Sequence, residues 1–189
     1  MTVEKSLVVI KPDAVARSLV GEIISRFEKT GLKIVAMKMI WVDDKFAKEH
    51  YKLDETWAKN VYDKTKKTRE AEGHIFPHKD HMEYGRMIQG WNATFLQESP
   101  VIAIVIEGPH AVEIIRKMIG STEPRQASPG TIRGDYAMIE SYALANDKNR
   151  VLRNLAHASD SVETAQREIK LWFTAKELHS YKKDLDKHL

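Results

Sequence analysis

Short apolar runs alternate with amphipathic stretches along the chain and predict a mixture of strands and helices. Residues 6–10, 32–41 and 101–106 are rich in apolar and β-branched side chains, which is typical of buried strands. Apolar side chains at helical spacing follow the first and third of these runs and predict a helix after each. Their apolar stripes are Val20, Ile23, Ile24 and Phe27, and Ala111, Ile114, Ile115 and Met118. Gly31 and Gly120 stand where helices commonly end.

The last third of the chain predicts one more strand and two more helices. Residues 136–140 form a fourth candidate strand. A capping box at residues 160–163 predicts the start of a helix, and a second box at residues 174–177 predicts a C-terminal helix. The resulting order is that of an α+β, ferredoxin-like (split βαβ) fold with a four-stranded antiparallel sheet and helices on one face. Many functions share that architecture, so it assigns none by itself.

Residues 52–90 break this regularity, because they are polar and charge-rich, and we expect them to be partly helical at best. Three histidines in this stretch have a spacing that a helix could bring together as metal ligands. They are His74, His78 and His81. Pro77 interrupts such a helix, so we expect solvated histidines instead. No linker or internal repeat is evident, and we expect residues 1–189 to form one domain.

Composition narrows the class of protein. Apolar residues make up 42% of the chain and charged residues 30%, which indicates a globular protein. Lys and Arg number 30 against 27 Asp and Glu, for a net charge of +3 with the signs interspersed, so we expect no nucleic-acid partner. The chain contains no Cys, which excludes disulfides and thiol catalysis. The longest apolar run, residues 101–106, is too short to cross a bilayer, and residues 1–5 do not resemble a signal peptide, so we expect a cytoplasmic protein without membrane contact.

Common nucleotide-binding motifs are missing from the sequence, so any phosphate chemistry must depend on side chains. There is neither a GxxxxGK[ST] loop nor a GxGxxG turn. The segment NLAHASDS instead sets His157 three residues before a predicted helix start, where unpaired N–H groups favour an anionic phosphoryl group. Glu168 could reach back from that helix and fix the tautomer of the histidine. The alternative is a solvated loop histidine beside an ordinary cap, which is the commoner situation for a histidine taken alone.

A Pro- and Gly-rich loop at residues 120–135 carries several hydroxyl and guanidinium groups. Such a loop can bind phosphate without a Walker motif, and Arg116, one turn before it, could point to the same place. Lys11 stands at the end of the first predicted strand, where it could direct a positive charge into a cleft. Each of these features alone also fits an ordinary surface position.

Four segments taken in order, VVIKPDAV, VGEIISRFEKTGLKIV, PGTIRGDYA and NLAHASDSVETAQREIKLWF, resemble the nucleoside diphosphate kinase family. The resemblance extends over residues 4–51 and 101–181, about two thirds of the chain. It implies a ferredoxin-like subunit that moves the γ-phosphoryl group of a nucleoside triphosphate to a nucleoside diphosphate, by a ping-pong route through a phosphohistidine. It also implies Mg²⁺ bound with the nucleotide rather than at a protein metal site, a role in nucleotide metabolism, and a homo-oligomer that is a hexamer or a tetramer.

The same resemblance implies roles for individual residues. The implied catalytic residues are His157 as the nucleophile, Glu168 and Ser159 as its orienting groups, and Lys11 and Tyr51 beside it. The implied nucleotide-binding residues are Arg116, Thr122 and Arg133 on the phosphates, and Lys11 and Asn154 on the ribose hydroxyls and the terminal phosphate. A binding or scaffold protein of the same fold would not need this whole set, so the sequence favours an enzyme.

The chain departs from compact members of the family in two extra stretches, at about residues 52–90 and about residues 141–152. The first replaces the region that supplies the aromatic side chain stacked on the base. Four aromatic residues are open as its substitute: Phe76, Tyr84, Trp91 and Phe95. Core or interface positions are the simplest explanation for three tryptophans: Trp57, Trp91 and Trp172. The base-stacking residue, the preferred nucleotide and the purpose of both stretches therefore stay open.

Overall fold

Four strands form one antiparallel sheet in the order β2-β3-β1-β4 in the computed structural model, which describes residues 2–71 and 73–183. The strands are β1 (Val3–Ile10), β2 (Lys33–Ile40), β3 (Val101–Pro109) and β4 (Ala156–Ala158). The helices are α1 (Pro12–Ala16), α2 (Val20–Glu28), α3 (Asp44–His50), α4 (Glu55–Ala71), α5 (His81–Leu96), α6 (Ala111–Ile119), α7 (Ile132–Tyr136), α8 (Tyr142–Asp147) and α9 (Val162–Trp172). Single 3₁₀ turns are found at Pro124–Gln126 and Ala175–Glu177. The ferredoxin-like fold, with β1 and β3 in the centre of the sheet, is confirmed.

The side chains of β1 alternate between two hydrophobic layers. Val8 and Ile10 pack with α2 and α6, the two helices that the ferredoxin-like order requires, on one face of the sheet. Leu7 and Val9 pack on the opposite face with residues of α3, α5 and α9. Helices therefore cover both faces, whereas the sequence pattern led us to expect them on one. Burial on both faces explains why this strand is an uninterrupted apolar run in the sequence.

The strand predicted at residues 136–140 is not formed, and that prediction is wrong. Tyr136 is the last residue of α7, and the N–H of Glu140 donates to the carbonyl of Ala137 at 2.9 Å in a turn. Ile139 is 89% exposed, so the apolar residues here do not mark a buried strand. The fourth strand is β4, which pairs with β1. Its three residues are too few to show an alternating pattern.

Residues 52–90 are far more helical than expected, because α4 and most of α5 lie within them. The two helices pack against each other. Helix α4 buries only Ala58 and Thr65, which explains why its sequence shows no apolar stripe. Gly85 allows the close approach of α5 to α4, since a Cβ at this position would stand 2.7 Å from the Cβ of Ala58. The sequence signal was weak because the packing depends on small residues.

The three histidines of this stretch form no metal-binding group among the described residues. His74 is exposed, as expected of a solvated side chain. His78 is half-buried instead, with its ring centroid 4.7 Å from Tyr84 and 5.2 Å from Phe76. It belongs to an aromatic cluster between α4 and α5 rather than to a solvated surface.

Two helix starts differ in detail from their predicted capping boxes. Helix α9 is capped by Ser161, whose Oγ accepts from the N–H of Thr164 at 3.0 Å, one residue later than expected. The carboxylate of Glu177 accepts from the N–H and the hydroxyl of Thr174, at 2.7 and 2.9 Å. It stabilises a single 3₁₀ turn and not a longer helix. Within residues 2–71 and 73–183, no helix has the length and apolar character that crossing a membrane requires.

Candidate active site

A cavity of about 1270 Å³ opens at the end of the sheet where β1 leads into α1. Its walls come from α4, α5, α8, β4 and the segment between α6 and α7. Eight of the nine site residues expected from the sequence line it: Lys11, Tyr51, Arg116, Thr122, Arg133, Asn154, His157 and Glu168. Ser159, the ninth, is fully buried behind Glu168. The fold therefore brings together residues from both ends of the chain.

His157 lies on β4 directly opposite Val9 of β1. Directly paired residues of antiparallel strands share a face, so its imidazole lies on the α9 side of the sheet. Its Nε2 is 3.0 Å from each carboxylate oxygen of Glu168 on α9. The other ring nitrogen, Nδ1, is therefore the one left for chemistry, and 23% of the side chain is exposed to the cavity.

Glu168 is held as a buried carboxylate. Burial by itself would raise its pKa, but the charge and the hydrogen bond of His157, with help from His50 and Ser159, lower the pKa to about 2. Ser159 Oγ donates to Glu168 Oε2 at 2.6 Å and accepts from the N–H of Leu7 at 3.3 Å. An ionised carboxylate facing Nε2 favours the tautomer with its proton on Nε2, so that the lone pair is on Nδ1.

His50 packs against His157 and is itself held by Trp172. The sequence analysis did not identify His50 as a site residue. The ring of His50 meets that of His157 edge to face, with centroids 4.6 Å apart. Trp172 Nε1 donates to His50 Nδ1 at 3.2 Å. Burial, with the nearby charge of His157, holds the pKa of His50 well below its usual value, so it is a neutral partner. The only sequence signal was its place beside Tyr51 at the end of α3.

Lys11 is a buried cation at the centre of the cavity wall. Its Nζ donates to Asn154 Oδ1 at 2.8 Å, and the amide of Asn154 donates in turn to the carbonyl of Thr122 at 2.9 Å. Burial and the charge of Arg133 lower the pKa of Lys11 to about 8, against the opposing effect of Asp13. Lys11 is therefore still largely protonated at neutral pH.

Arg133 is also buried, and its guanidinium is engaged with the backbone. It donates to the carbonyl oxygens of Asn154 at 3.0 Å, Gly120 at 3.0 Å and Ala156 at 2.6 Å. Burial is the main reason that its pKa falls to about 10. Arg133 thus joins two main-chain segments, at Gly120 and at residues 154–156, and this role was not apparent from the sequence.

Three further groups face the cavity in different ways. Arg116 and Thr122 line it and are exposed. The hydroxyl of Tyr51 is buried and has no hydrogen-bond partner among the described residues. Burial raises the pKa of Tyr51, so the hydroxyl keeps its proton and can act as a donor.

The aromatic residues proposed for base stacking separate into two groups. Tyr84 and Trp91 line the cavity, whereas Phe76 and Phe95 do not. Phe95 is buried, with Arg153 lying 5.1 Å from its ring centroid. Trp57 on α4 also lines the cavity, although its sequence position suggested a core or interface residue.

Both extra stretches contribute walls to this cavity. Residues of α4 and α5 form one side, and Tyr142 and Asn146 of α8 belong to another. Lys64 Nζ on α4 lies 5.8 Å from the ring centroid of Tyr142, across the two stretches. The second stretch is anchored by Arg150, whose guanidinium pairs with the carboxylate of Glu140 at 2.6 and 3.0 Å.

Comparison with known proteins agrees with this arrangement. The model of the family described as nucleoside diphosphate kinase matches residues 4–76 and 64–178. A nucleoside diphosphate kinase of Pyrobaculum aerophilum is 46% identical over 183 residues, covering 94% of this chain and 99% of the relative, and that of Pyrococcus furiosus is 43% identical, covering 97% and 91%. The chain belongs to the nucleoside diphosphate kinase family.

Solved structures give the same result at the level of the fold. The crystal structure of an NDP kinase from Pyrobaculum aerophilum superposes with a TM-score of 0.90 at 43% identity, covering 95% of this chain and all of that one. A nucleoside diphosphate kinase from Borrelia burgdorferi, solved as a transition-state mimic with bound vanadate and ADP, superposes with a TM-score of 0.79 at 37% identity, covering 98% and 96%.

We expect Glu168→Gln to remove part of the acid sensitivity of folding. The folded-state pKa of about 2 lies below the ordinary value of 4.5 for a glutamate. The carboxylate therefore contributes stability above about pH 4.5, and this is lost as the pH falls toward 2. The lost free energy of unfolding is on the order of 2–3 kcal/mol. Urea unfolding at pH 3, 4 and 6 measures it.

The matched control is Glu163→Gln, which neutralises an exposed carboxylate in the first turn of the same helix. In this variant the free energy of unfolding should fall in acid as much as it does in the parent protein. An equally steep decline for Glu168→Gln and the parent would contradict the stabilising role of the ionised Glu168.

Proposed function

We propose that this protein is a nucleoside diphosphate kinase whose phosphoryl carrier is His157. The observation that carries the proposal is the fixed imidazole, with Nε2 held by the buried Glu168 and Nδ1 left for the cavity. Membership of the family, and relatives of that name at 46% and 43% identity, support the same reaction. The reaction moves the γ-phosphoryl group of a nucleoside triphosphate to a nucleoside diphosphate.

The first half-reaction uses the lone pair of Nδ1. It attacks the γ-phosphorus, the bond to the β,γ-bridging oxygen breaks, and the nucleoside diphosphate leaves with the bonding electrons. The imidazole then carries a phosphoryl group and a positive charge, which the carboxylate of Glu168 stabilises across Nε2. In the second half-reaction a β-phosphate oxygen of another diphosphate attacks the same phosphorus, and His157 is restored. One nucleotide must leave before the next enters, so the kinetics are ping-pong.

The cations of the cavity supply what phosphoryl transfer needs, which is positioning and neutralisation of charge. Arg116, Thr122 and the unpartnered hydroxyl of Tyr51 are available for phosphate oxygens. Lys11 and Asn154 are hydrogen-bonded to each other and would together contact the terminal phosphate and the ribose hydroxyls.

Magnesium would enter with the nucleotide. The group of described side chains that could hold a metal ion consists of His50, His157 and Glu168. Mg²⁺ prefers an octahedron of oxygen ligands, so two imidazoles and one carboxylate suit it poorly. Bound to the phosphates, the ion would neutralise part of their charge, while the side chains orient the transferred group.

The cavity also bears on the number of domains in the chain. We infer a single domain over residues 1–189, because both extra stretches contribute to one cavity with the ferredoxin-like unit. The cytoplasm is the expected location, since it holds the nucleoside di- and triphosphates that the reaction uses.

We also infer a homo-oligomer, a hexamer or a tetramer, with β2 as one contact. β2 is an edge strand of the sheet. Large apolar side chains at alternate positions along and just beyond it are exposed: Met37 by 55%, Met39 by 60% and Trp41 by 64%. An unpaired edge with apolar side chains is suited to pairing with a second copy.

Loss of the nucleophile should abolish the reaction. Incubation with γ-labelled ATP should label the protein, and the label should be acid-labile and stable to alkali. His157→Ala should take up no label and transfer none, because no other group replaces Nδ1 as the carrier. His74→Ala, which removes an exposed histidine of the α4–α5 segment, is the control and should label normally. Normal turnover by His157→Ala would contradict the assignment.

The two arginines should respond differently to truncation. Arg116→Ala should slow turnover by roughly 10- to 100-fold with little change in melting temperature, since one charge-assisted contact is worth about 1.5–3 kcal/mol. Arg133→Ala should lower both turnover and stability, because it removes three hydrogen bonds to main-chain carbonyl oxygens. Lys117→Ala, one residue from Arg116, is the control for charge alone. Unchanged turnover in Arg116→Ala would remove this residue from the site.

Assembly should depend on the exposed edge. Light scattering after gel filtration should give the parent protein a mass several times its 21.7 kDa. Met39→Lys should shift it to smaller species, because a charge would be buried at the contact. Ile75→Lys, at an 84% exposed apolar residue of the α4–α5 segment, is the control and should leave the mass unchanged. A monomeric parent protein would refute the inference.

A further inference from the structure

The backbone immediately before His157 adopts a strained turn. Leu155 has a φ of +68°, and the N–H of Ala156 donates to the carbonyl of Asn154 at 2.8 Å. A hydrogen bond from residue i+2 to residue i around a positive φ defines the rare, strained form of the γ-turn. Leu155 is fully buried, so a bulky side chain stands where the backbone favours glycine.

The corner between β1 and α1 holds both polar groups of Leu155. The N–H of Leu155 donates to Asp13 Oδ2 at 3.0 Å, and its carbonyl accepts from the N–H of Lys11 at 2.8 Å. Arg133 holds the carbonyls on either side, those of Asn154 and Ala156. Strained backbone of this kind persists only when the surroundings determine it, and it is concentrated at functional sites.

Asp13 is the one member of this arrangement that the proposed reaction does not use. Its side chain is 7% exposed, and its second oxygen, Oδ1, has no hydrogen-bond partner in the described part of the chain. A buried carboxylate with one unsatisfied oxygen is costly to keep. The bond to the N–H of Leu155 is the one hydrogen bond of its side chain among the described residues.

We propose that Asp13 is a positioning residue of the phosphoryl transfer, which acts by holding Leu155 in its left-handed conformation. The turn at Leu155 sets the relative positions of Asn154, which precedes it, and His157, which lies two residues after it. Asn154 reaches Lys11 and the carbonyl of Thr122 from one end of the turn, and His157 reaches Glu168 from the other. Relaxation of Leu155 would move the nucleophile and a nucleotide-binding amide relative to each other.

The charge of Asp13 has a second, separable effect. Charged and titratable groups interact with Lys11 from three elements: Arg133 on α7, Asp13 on α1 and His50 at the end of α3. The carboxylate of Asp13 opposes the lowering of the pKa of Lys11 by burial and by Arg133. Without that charge, Lys11 would lose its proton at a lower pH. The alkaline limb of the rate profile, where Lys11 becomes neutral, would then shift toward neutral pH.

The test compares Asp13→Ala with Asp13→Asn in the full-length protein. The asparagine oxygen can still accept from the N–H of Leu155, whereas alanine cannot. Three quantities are measured: the single-turnover rate of His157 phosphorylation by ATP, its pH dependence, and the hydrogen exchange of the Leu155 amide. The control is Asp80→Ala, which removes a carboxylate that accepts from the N–H of Glu83 at 2.7 Å and does not line the cavity.

We expect Asp13→Ala to slow phosphorylation on the order of 10- to 100-fold and to expose the Leu155 amide to exchange, since small misplacements of reacting groups cost this much. Asp13→Asn should retain amide protection and most of the rate near pH 6.5, with an alkaline limb at lower pH. Asp80→Ala should match the parent protein. A parent-like rate in folded Asp13→Ala overturns the proposal, and so does an Asp13→Asn protein that keeps amide protection but is as slow as Asp13→Ala near pH 6.5.

The proposal rests on the proposed function only for its rate measurement. If the parent protein takes up no phosphoryl group on His157, the proposed function fails. The exchange of the Leu155 amide still tests the contact with Asp13 in that case. If Asp13→Ala does not fold, an unprotected Leu155 amide in Asp13→Asn overturns the proposal, and a protected amide with a parent-like rate near pH 6.5 supports it.

Discussion

Burial of β1 on both faces fixes the position of the residues around the cavity. Its residues 7–10 are completely inaccessible to solvent and cannot shift without breaking two hydrophobic layers. β4 takes its register from this rigid strand, with Val9 opposite His157. Lys11 and Asp13 follow directly after the end of the same strand. One strand thus positions His157, Lys11 and Asp13.

The site concentrates buried charge at some cost to stability. Lys11 and Arg133 are both buried, and the charge of Arg133 lowers the pKa of Lys11. Unfolding would return both cations to water, so their burial opposes folding. Backbone carbonyls, the amide of Asn154 and the carboxylate of Asp13 compensate in part. A polyanionic nucleotide would complete the compensation, and it would stabilise the fold by mass action.

Both extra stretches contribute walls to the cavity. Helices α4 and α5 build one wall through close packing at Gly85, and α8 builds another. Three aromatic residues of α4 and α5 line the cavity: Trp57, Tyr84 and Trp91. The site residues expected from the sequence lie outside both stretches, on or next to β1, α3, α6, α7, β4 and α9.

Long apolar runs and contiguous motifs such as NLAHASDS are local patterns, so the ferredoxin-like order and a candidate site around His157 could be predicted from the sequence alone. The remaining features depend on contacts between distant parts of the chain. β4 is three residues long and depends on pairing with β1, so its sequence carries no strand pattern. Residues 136–140 carry such a pattern but begin at the end of α7 and form no strand. Helices cover both faces of the sheet because α3, α5 and α9 bury residues that are far apart in the chain. The roles of His50, Arg133 and Asp13 depend on contacts with Trp172, with three distant carbonyls and with Leu155, and no local pattern of residues encodes contacts across the chain.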